Sequence, residues 1–441
     1  MSFLFSRYTL CAVGTALSSL FFANLAQAEG APTAAEQDLI KQGEYIATAS
    51  DCKACHTARG GKPYAGGLVI ATPVGKIVST NITPSQKYGI GSWSEAQFAK
   101  AVRKGISPTL GHLYPAMPYT SYSGISNSDI HALYVYFTKG VKSVDEEPKN
   151  KTALPFPFNI RASMIAWNLL FAGGHPTPDE DAAVGGARRG EYLAKTLAHC
   201  STCHTPRNTF MAEKSSAYLG GSYNIQGWDA PNITSDPISG IGTWSNDEIV
   251  SYLRNGAAHG KSQAAGPMAE AVEFSLRHLT DSDLEAIAAY LKTVPPIRNP
   301  EQKHPAFSYS EAKAVDASEL DYPIDRAPTA MENGTSLDGR RLYLNACATC
   351  HQTHGQGTQD QFYPSLTSNS AVGATSPRNL AMAILRGVDR QTNQGHVVMP
   401  AFADQLTDEQ IAALTNYVTE HFGNPKLKVT AGDIKKYRSG K

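Results

Sequence analysis

The chain has 441 residues, long for one compact domain, so about two to four folded units are expected. Lysine plus arginine and aspartate plus glutamate both number 39, so the formal charge is zero and no net field favours a nucleic-acid partner. Charged residues make up only 18%, while 37 Gly and 26 Pro are plentiful, which excludes a disordered polyelectrolyte and predicts a globular chain with much irregular structure.

Residues 1–28 read as a signal peptide. Arg7 precedes an apolar run from about Tyr8 to Phe22, and Ala26-Gln27-Ala28 has the small-x-small pattern of a cleavage site. Thr9, Thr15, Ser18 and Ser19 interrupt that run, which disfavours a membrane anchor, and no later stretch is long enough to span a bilayer. The mature chain is expected to start near Glu29, exported to an oxidising compartment.

Three similar units follow. The first, 29–150, has a helical lead at Gly43-Glu44-Tyr45-Ile46, then Cys52-Lys53-Ala54-Cys55-His56, then Met117 in Tyr114-Pro115-Ala116-Met117-Pro118. Its closing helix is predicted from the Ser126 to Asp129 cap and the stripe Ile130, Leu133, Phe137. A Pro-rich linker, 151–184, holds Pro155, Pro157, Pro176 and Pro178 and an apolar stretch from Ile160 to Phe171. That stretch is expected to be a helix packed between units, with docking to a partner or to the bilayer interface as the sharper alternative.

The second unit, 185–297, repeats the order with Gly190-Glu191-Tyr192-Leu193, Cys200-Ser201-Thr202-Cys203-His204 and Met268 in Gly266-Pro267-Met268-Ala269. Its closing helix is capped from Thr280 to Asp283 and striped by Leu284, Ile287 and Leu291. A second Pro-rich linker, 298–333, leads to the third unit, 334–424. That unit has Gly339-Arg340-Arg341-Leu342, Cys347-Ala348-Thr349-Cys350-His351, Val398-Met399-Pro400-Ala401, and a closing helix capped from Thr407 to Gln410 with Ile411, Leu414 and Val418. The leads stand nine, ten and eight residues before the first Cys. The first two units also share a Gly-Gly pair, an Asn-Ile-Thr triplet (Asn81, Asn232) and a Gly-Ile-Gly-x-Trp-Ser segment holding Trp93 and Trp244, which the third lacks. Both Trp residues are expected near the sites. The tail, 425–441, is basic and is expected to be a solvated arm.

Of seven cysteines, Cys11 leaves with the signal peptide and the other six all fall in Cys-x-x-Cys-His motifs. That motif is the attachment signature of c-type haem. Two thiols three positions apart reach the two vinyl groups of one porphyrin, and the adjacent His turns its imidazole to the iron. Zinc would need two further ligands per site, and a thiol redox motif has no reason to be followed by His three times. Three haem c groups are therefore expected, with His56, His204 and His351 as proximal ligands. Met117, Met268 and Met399 are the distal candidates, and His112, His259 and His396 are the competing ones. Ala269 in place of Pro makes the second match the looser.

The mature chain resembles the trihaem cytochrome c subunit of bacterial membrane-bound dehydrogenases. The resemblance rests on three such motifs in order, on Cys52 to Thr57 followed by Gly60-Gly61-Lys62-Pro63, on Ser79 to Pro84 and on Leu113 to Thr120. It implies a mostly α architecture of three tandem class I cytochrome c domains joined by Pro-rich linkers. It also implies haem attachment at Cys52, Cys55, Cys200, Cys203, Cys347 and Cys350, with the axial ligands named above. The partners implied are a catalytic dehydrogenase subunit, a flavoprotein first and a quinoprotein second, with a small third subunit. Ubiquinone takes the electrons at the periplasmic face of the cytoplasmic membrane. Within the family, size and the polar tail look most like the gluconate 2-dehydrogenase subunit; alcohol, aldehyde, sorbitol and fructose dehydrogenases are the alternatives, and a free periplasmic shuttle is the reading from a different class. No residue reads as a substrate-oxidising centre.

Overall fold

The structure, a computed structural model, describes residues 32–173, 177–185, 188–309, 336–360 and 362–440. The expected signal peptide and most of the second linker lie outside them. Helices dominate, and every sheet among the described residues is a two-stranded antiparallel ladder.

The first unit opens with α1 (Ala34–Ala49), which Thr33 starts by accepting from the Glu36 N–H. After it come α2 (Cys52–His56), the hairpin β1 (Val69–Thr72) and β2 (Gly75–Val78), α3 (Glu95–Lys104), the ladder β3 (Ile106–Ser107) and β4 (Gly111–His112), α4 (Tyr119–Tyr122) and the closing α5 (Asn127–Val135). Two helices of the first linker, α6 (Ser163–Phe171) and α7 (Glu180–Ala183), precede the second unit. That unit runs α8 (Arg189–Tyr192), α9 (Ser201–His204), β5 (Ser222–Ile225), β6 (Trp228–Ala230), α10 (Asn246–Asn255), β7 (Ala257–Ala258), β8 (Ser262–Gln263), α11 (Pro267–Phe274) and the closing α12 (Asp281–Thr293). The third has α13 (Gly339–Ala346), α14 (Ala348–His351), α15 (Arg378–Arg386), β9 (Val388–Thr392), β10 (Gly395–Met399) and the closing α16 (Asp408–Phe422), with α17 (Ala431–Arg438) beyond it.

One crossing builds all three. The lead glycine lies against the closing helix so closely that a Cβ on Gly43, Gly190 or Gly339 would sit 2.1, 1.9 and 2.5 Å from the carbonyl oxygens of Ala132, Ala286 and Ala413. Only glycine allows backbones to meet there. The expected caps form, with Ser126, Thr280 and Thr407 accepting from the N–H groups of Asp129, Asp283 and Gln410. The expected stripes are buried: Leu133, Phe137, Leu284, Ile287, Ile411 and Leu414 are each at most 2% exposed.

The first two units share one continuous apolar core, which takes in Ile46, Phe137, Leu193 and Ile287, whereas the third has its own around Tyr343, Leu385 and Ile411. The seam between the first two is reciprocal. Tyr45 of α1 donates to Asp283 at 2.6 Å and accepts from the Thr280 N–H at 3.2 Å. Tyr192 of α8 donates to Asp129 at 2.6 Å and accepts from the Ser126 N–H at 3.1 Å. Each lead tyrosine thus grips the N-terminus of the other unit's closing helix.

Three expectations change. The first linker, whose prolines suggest a stiff, extended, surface-running segment, is tied down at two points: Ala153 pairs with Lys76 of β2, and Glu180 of α7 accepts from the Asn127 N–H at 2.6 Å. α6 does bridge the first two units, with Asn168 accepting from the Tyr119 hydroxyl at 2.7 Å and the Trp167 indole donating to the Phe210 carbonyl at 2.9 Å, but it lies on their surface and is not buried between them. None of its residues is buried and Leu169 is 84% exposed, because Met164, Ile165, Trp167, Leu169 and Leu170 surround the axis and leave no single face to bury. The basic tail is not a solvated arm. A capping box from Thr430 to Asp433 starts α17, Ile434 is fully buried, and Arg438 binds Asp408 at 2.8 Å.

The shared Asn-Ile-Thr triplets have a structural role. Asn81 and Asn232 each accept from the N–H and hydroxyl of the Thr two residues on, and their amides donate to Val144 and Ile297, fixing the chain that leaves the closing helix.

Candidate functional site

Each Cys-x-x-Cys-His segment is a short helical turn set off from the lead helix. Asp51 before Cys52 and His199 before Cys200 adopt left-handed backbones, φ 51° and 37°, which end the lead helix and let a new turn start at the first Cys. In the third unit the break falls on the other side, at Gln352, φ 67°.

The three histidines are oriented alike. Nδ1 of His56, His204 and His351 lies 2.7, 2.7 and 2.9 Å from the carbonyl oxygens of Thr80, Pro231 and Pro364. A carbonyl only accepts, so the proton sits on Nδ1 and Nε2 keeps its lone pair, the arrangement of a metal-ligating imidazole. Burial also lowers each of these histidines below its ordinary value, despite the carbonyl, and so keeps the ring neutral.

All six mature cysteines are unpaired. Burial pushes Cys55, Cys200 and Cys347 up to about 12, so the free thiols stay protonated. Among the described residues no three His, Cys, Asp or Glu side chains gather as a metal site.

The first two motifs open into one cavity of about 1990 Å³, larger than the 300–1,000 Å³ or so usual for a single small-molecule site. His56, Met117, His204 and Met268 all line it. Trp93 and Trp244 line it too, as expected, and the Trp93 Nε1–H is buried without a partner. Apolar walls, protonated thiols, a free imidazole nitrogen and an unanswered indole donor fit a porphyrin with polar edge groups.

A regularity missed in the sequence links the three methionines. Met117, Met268 and Met399 each stand twelve residues beyond a glycine that ends α3, α10 or α15: Gly105, Gly256 and Gly387, all at positive φ. A two-stranded ladder follows the glycine each time, β3–β4, β7–β8 and β9–β10; Met117 and Met268 lie just beyond theirs, and Met399 is the last residue of β10. Met268 therefore occupies the same register as the others although it sits in the first turn of α11. Of the competing histidines, His259 and His396 are exposed, and His396 is taken by Asp389 at 2.6 Å. His112 is half-buried, with no partner at Nδ1.

The first two motifs also touch. Tyr122 donates to the Ser50 carbonyl at 2.7 Å, and its ring meets His199 edge-on at 5.5 Å. Burial drops His199 to about 4, so a neutral imidazole sits between the two attachment turns. Neither residue stood out in the sequence. The third motif lies apart, with Cys347 and Met399 both against the third unit's core.

The fold and these sites define a cytochrome c. A cytochrome c family model matches residues 187–295 and 336–421. The chain is 44% identical over 423 residues to the fructose dehydrogenase cytochrome subunit of Gluconobacter japonicus, covering 93% of this chain and 85% of that one. It is 38% identical over 439 residues to the gluconate 2-dehydrogenase cytochrome c subunit of Pantoea cypripedii, covering 96% and 93%. It is 38% identical over 417 residues to the cytochrome c subunit of the quinone alcohol dehydrogenase of Gluconobacter oxydans, covering 92% and 83%. The chain belongs to the family of dehydrogenase cytochrome c subunits, and c-type haem is its cofactor.

Proposed function

We propose that this chain is a trihaem electron-transfer subunit of a membrane-bound dehydrogenase complex, with residues 29–150, 185–297 and 334–424 as its three cytochrome c domains. Cys52 and Cys55, Cys200 and Cys203, and Cys347 and Cys350 hold one haem each. His56, His204 and His351, with Met117, Met268 and Met399, would ligate the haem irons. The observation that carries this reading is the threefold repeat of an imidazole with Nδ1 on a carbonyl and a methionine twelve residues past a helix-ending glycine. Bound haem supplies one-electron exchange, and His/Met ligation favours a high potential. The protein positions the ligands, walls off water and fixes the first two sites side by side.

In this reading the organic substrate is oxidised on a separate subunit, a flavoprotein in preference to a quinoprotein, with a small third subunit, and ubiquinone receives the electrons. A membrane location at the periplasmic face is supported by the exposed Phe156, Phe158, Ile160, Ile165, Leu169 and Leu170. Between Glu147 and Asp179 the sequence has no acidic residue but has Lys149, Lys151 and Arg161, a composition suited to anionic headgroups. No described helix is long and apolar enough to cross a membrane. Identity favours fructose as the partner's substrate, while the 93% coverage of the gluconate subunit supports D-gluconate, oxidised to 2-dehydro-D-gluconate.

Purification from gently solubilised membranes tests the assignment. A flavin-bearing polypeptide is expected to co-elute, and a pyridine haemochrome assay to give three haems per chain. A chain that elutes alone refutes the complex and favours a free shuttle; fewer haems refute the trihaem assignment. Reduction of the haems by fructose but not gluconate, or the reverse, decides the substrate.

A further inference from the structure

Arg390 belongs to β9 of the third unit but is sunk into the second, 1% exposed. Its guanidinium covers Gly256, where an added Cβ would meet Nε at 2.6 Å and Cζ at 2.8 Å. Nη1 donates to the Ala264 carbonyl, Nη2 to Gln263 Oε1 at 3.1 Å, and the buried Nε has no partner. Among the described residues no carboxylate forms an ion pair with it. Asp389 beside it turns out to His396, and Glu273 accepts from the Gln391 N–H at 3.4 Å. A buried cation without a counter-charge is costly, so a fold that keeps one has another gain from it.

The residues around that charge belong to the cavity wall of the second motif. Gln263, Tyr252 and Met268 all line the cavity at the second motif, and Ala264 lies four residues before Met268. The equivalent glycine of the first unit, Gly105, is covered by the ring of Tyr119 from that same unit. One seat is therefore filled by a neutral phenol in the first unit and by a cation from another unit in the second.

We propose that Arg390 is an electrostatic positioning residue for the second haem: it clamps the wall that carries Met268 and favours the reduced state of that haem. The inference rests on the haem assignment above. Reduction adds one electron to the site, so an uncompensated positive charge behind its wall stabilises the ferrous form over the ferric.

Spectroelectrochemical titration of the full chain with its haems tests this in Arg390→Gln, Arg390→Lys and Gln263→Glu. In Arg390→Gln one of the three redox components is expected to shift, its ferrous-to-ferric ratio at fixed applied potential falling about tenfold, or 59 mV for a one-electron couple. Arg390→Lys keeps the charge and is expected to keep the wild-type curve. Gln263→Glu places a carboxylate against Nη2 and is expected to shift the same component in the same direction with the clamp intact. If Gln263→Glu leaves all components in place, or Lys shifts them as far as Gln does, the proposal is wrong. Should Arg390→Gln fail to accumulate, Gln263→Glu decides alone. Haem content, counted first, separates the two layers: no haem at the second motif in the wild type refutes the assignment, whereas haem present with an unmoved potential refutes only the role of Arg390.

Discussion

Replacing Tyr192 by Phe should destabilise the chain much more than replacing Tyr45, although the two residues hold equivalent places. Tyr192→Phe removes the 2.6 Å bond to Asp129 and the acceptor for the Ser126 N–H, both deeply buried. The Asp129 carboxylate is then left with the Gln42 amide at 3.2 Å. One lost bond to a carboxylate and one orphaned N–H together cost roughly 2–4 kcal/mol. Tyr45→Phe leaves Asp283 gripped by Arg189 at 2.7 and 2.9 Å, and the freed Thr280 N–H lies at an exposed position where water can answer it. That loss should be about 0.5–1.5 kcal/mol. Urea unfolding of the haem-loaded protein, followed at the Soret band, measures both. With a slope of about 2 kcal/mol per molar, the midpoint should fall by roughly 1 M or more for Tyr192→Phe and by about 0.5 M for Tyr45→Phe. Equal shifts, or the reverse order, would refute the view that Arg189 makes the two halves of the seam unequal.

Gly190→Ala, whose Cβ would stand 1.9 Å from the Ala286 carbonyl, should lower stability by about 3 kcal/mol, and Gly339→Ala, at 2.5 Å, by less; thermal unfolding would show the order. Met268→His should lower the midpoint potential of one haem and leave the other two unchanged in a redox titration, and an unchanged curve would remove Met268 from the ligand set. Acid should act in opposite directions on the two halves of the seam. Burial raises Asp283, but bonds from Arg189 and Tyr45 outweigh it and hold the carboxyl below its ordinary value. Its stabilisation is therefore complete above the unfolded value of about 3.9 and lost as pH falls through the lower folded one. Burial raises Asp129 overall, so the penalty for its charge is present above the folded value and relieved below it. Asp283→Asn should flatten the acid limb of the urea midpoint against pH, and Asp129→Asn should steepen it.

Local chemistry made part of this molecule readable in advance. The motifs, caps and stripes are each encoded within about a dozen residues, so their positions follow from spacing alone. Gly43, Gly190 and Gly339 were visible as repeats, but their purpose, a backbone crossing with a helix some ninety or more residues further on in the first two units, is a tertiary fact. Met268 looked doubtful beside Ala269 because the flanking proline was weighed more than the distance from Gly256, and distance is what the ladder between them fixes. α6 misled because apolar content was taken as a sign of burial. A helix apolar all round carries no information about which neighbour it meets. Arg390 was unreadable, since nothing in its own hairpin indicates that the cation ends inside another unit.

The seam between the first two units repeats what a two-fold dimer does, the same tyrosine from each half reaching the same aspartate of the other, except that both halves lie on one chain. The third unit cannot join that pattern. Arg341 stands where the lead tyrosine would be, and Gln410 spends its side chain on the N-cap of its own helix. It docks by other means: Asn379 exchanges two 2.8 Å bonds with the backbone of Asp229, Ser376 binds the Asp229 carboxylate at 2.7 Å, and Arg390 is sunk beside Gly256. The first two sites are therefore held by a seam of one repeated pattern, unequal only in its Arg189 and Gln42 supports, and the third unit adds a charge beside only one of them. A change at the tyrosine seam should loosen both of the first two sites together, whereas a change at Arg390 should distinguish them.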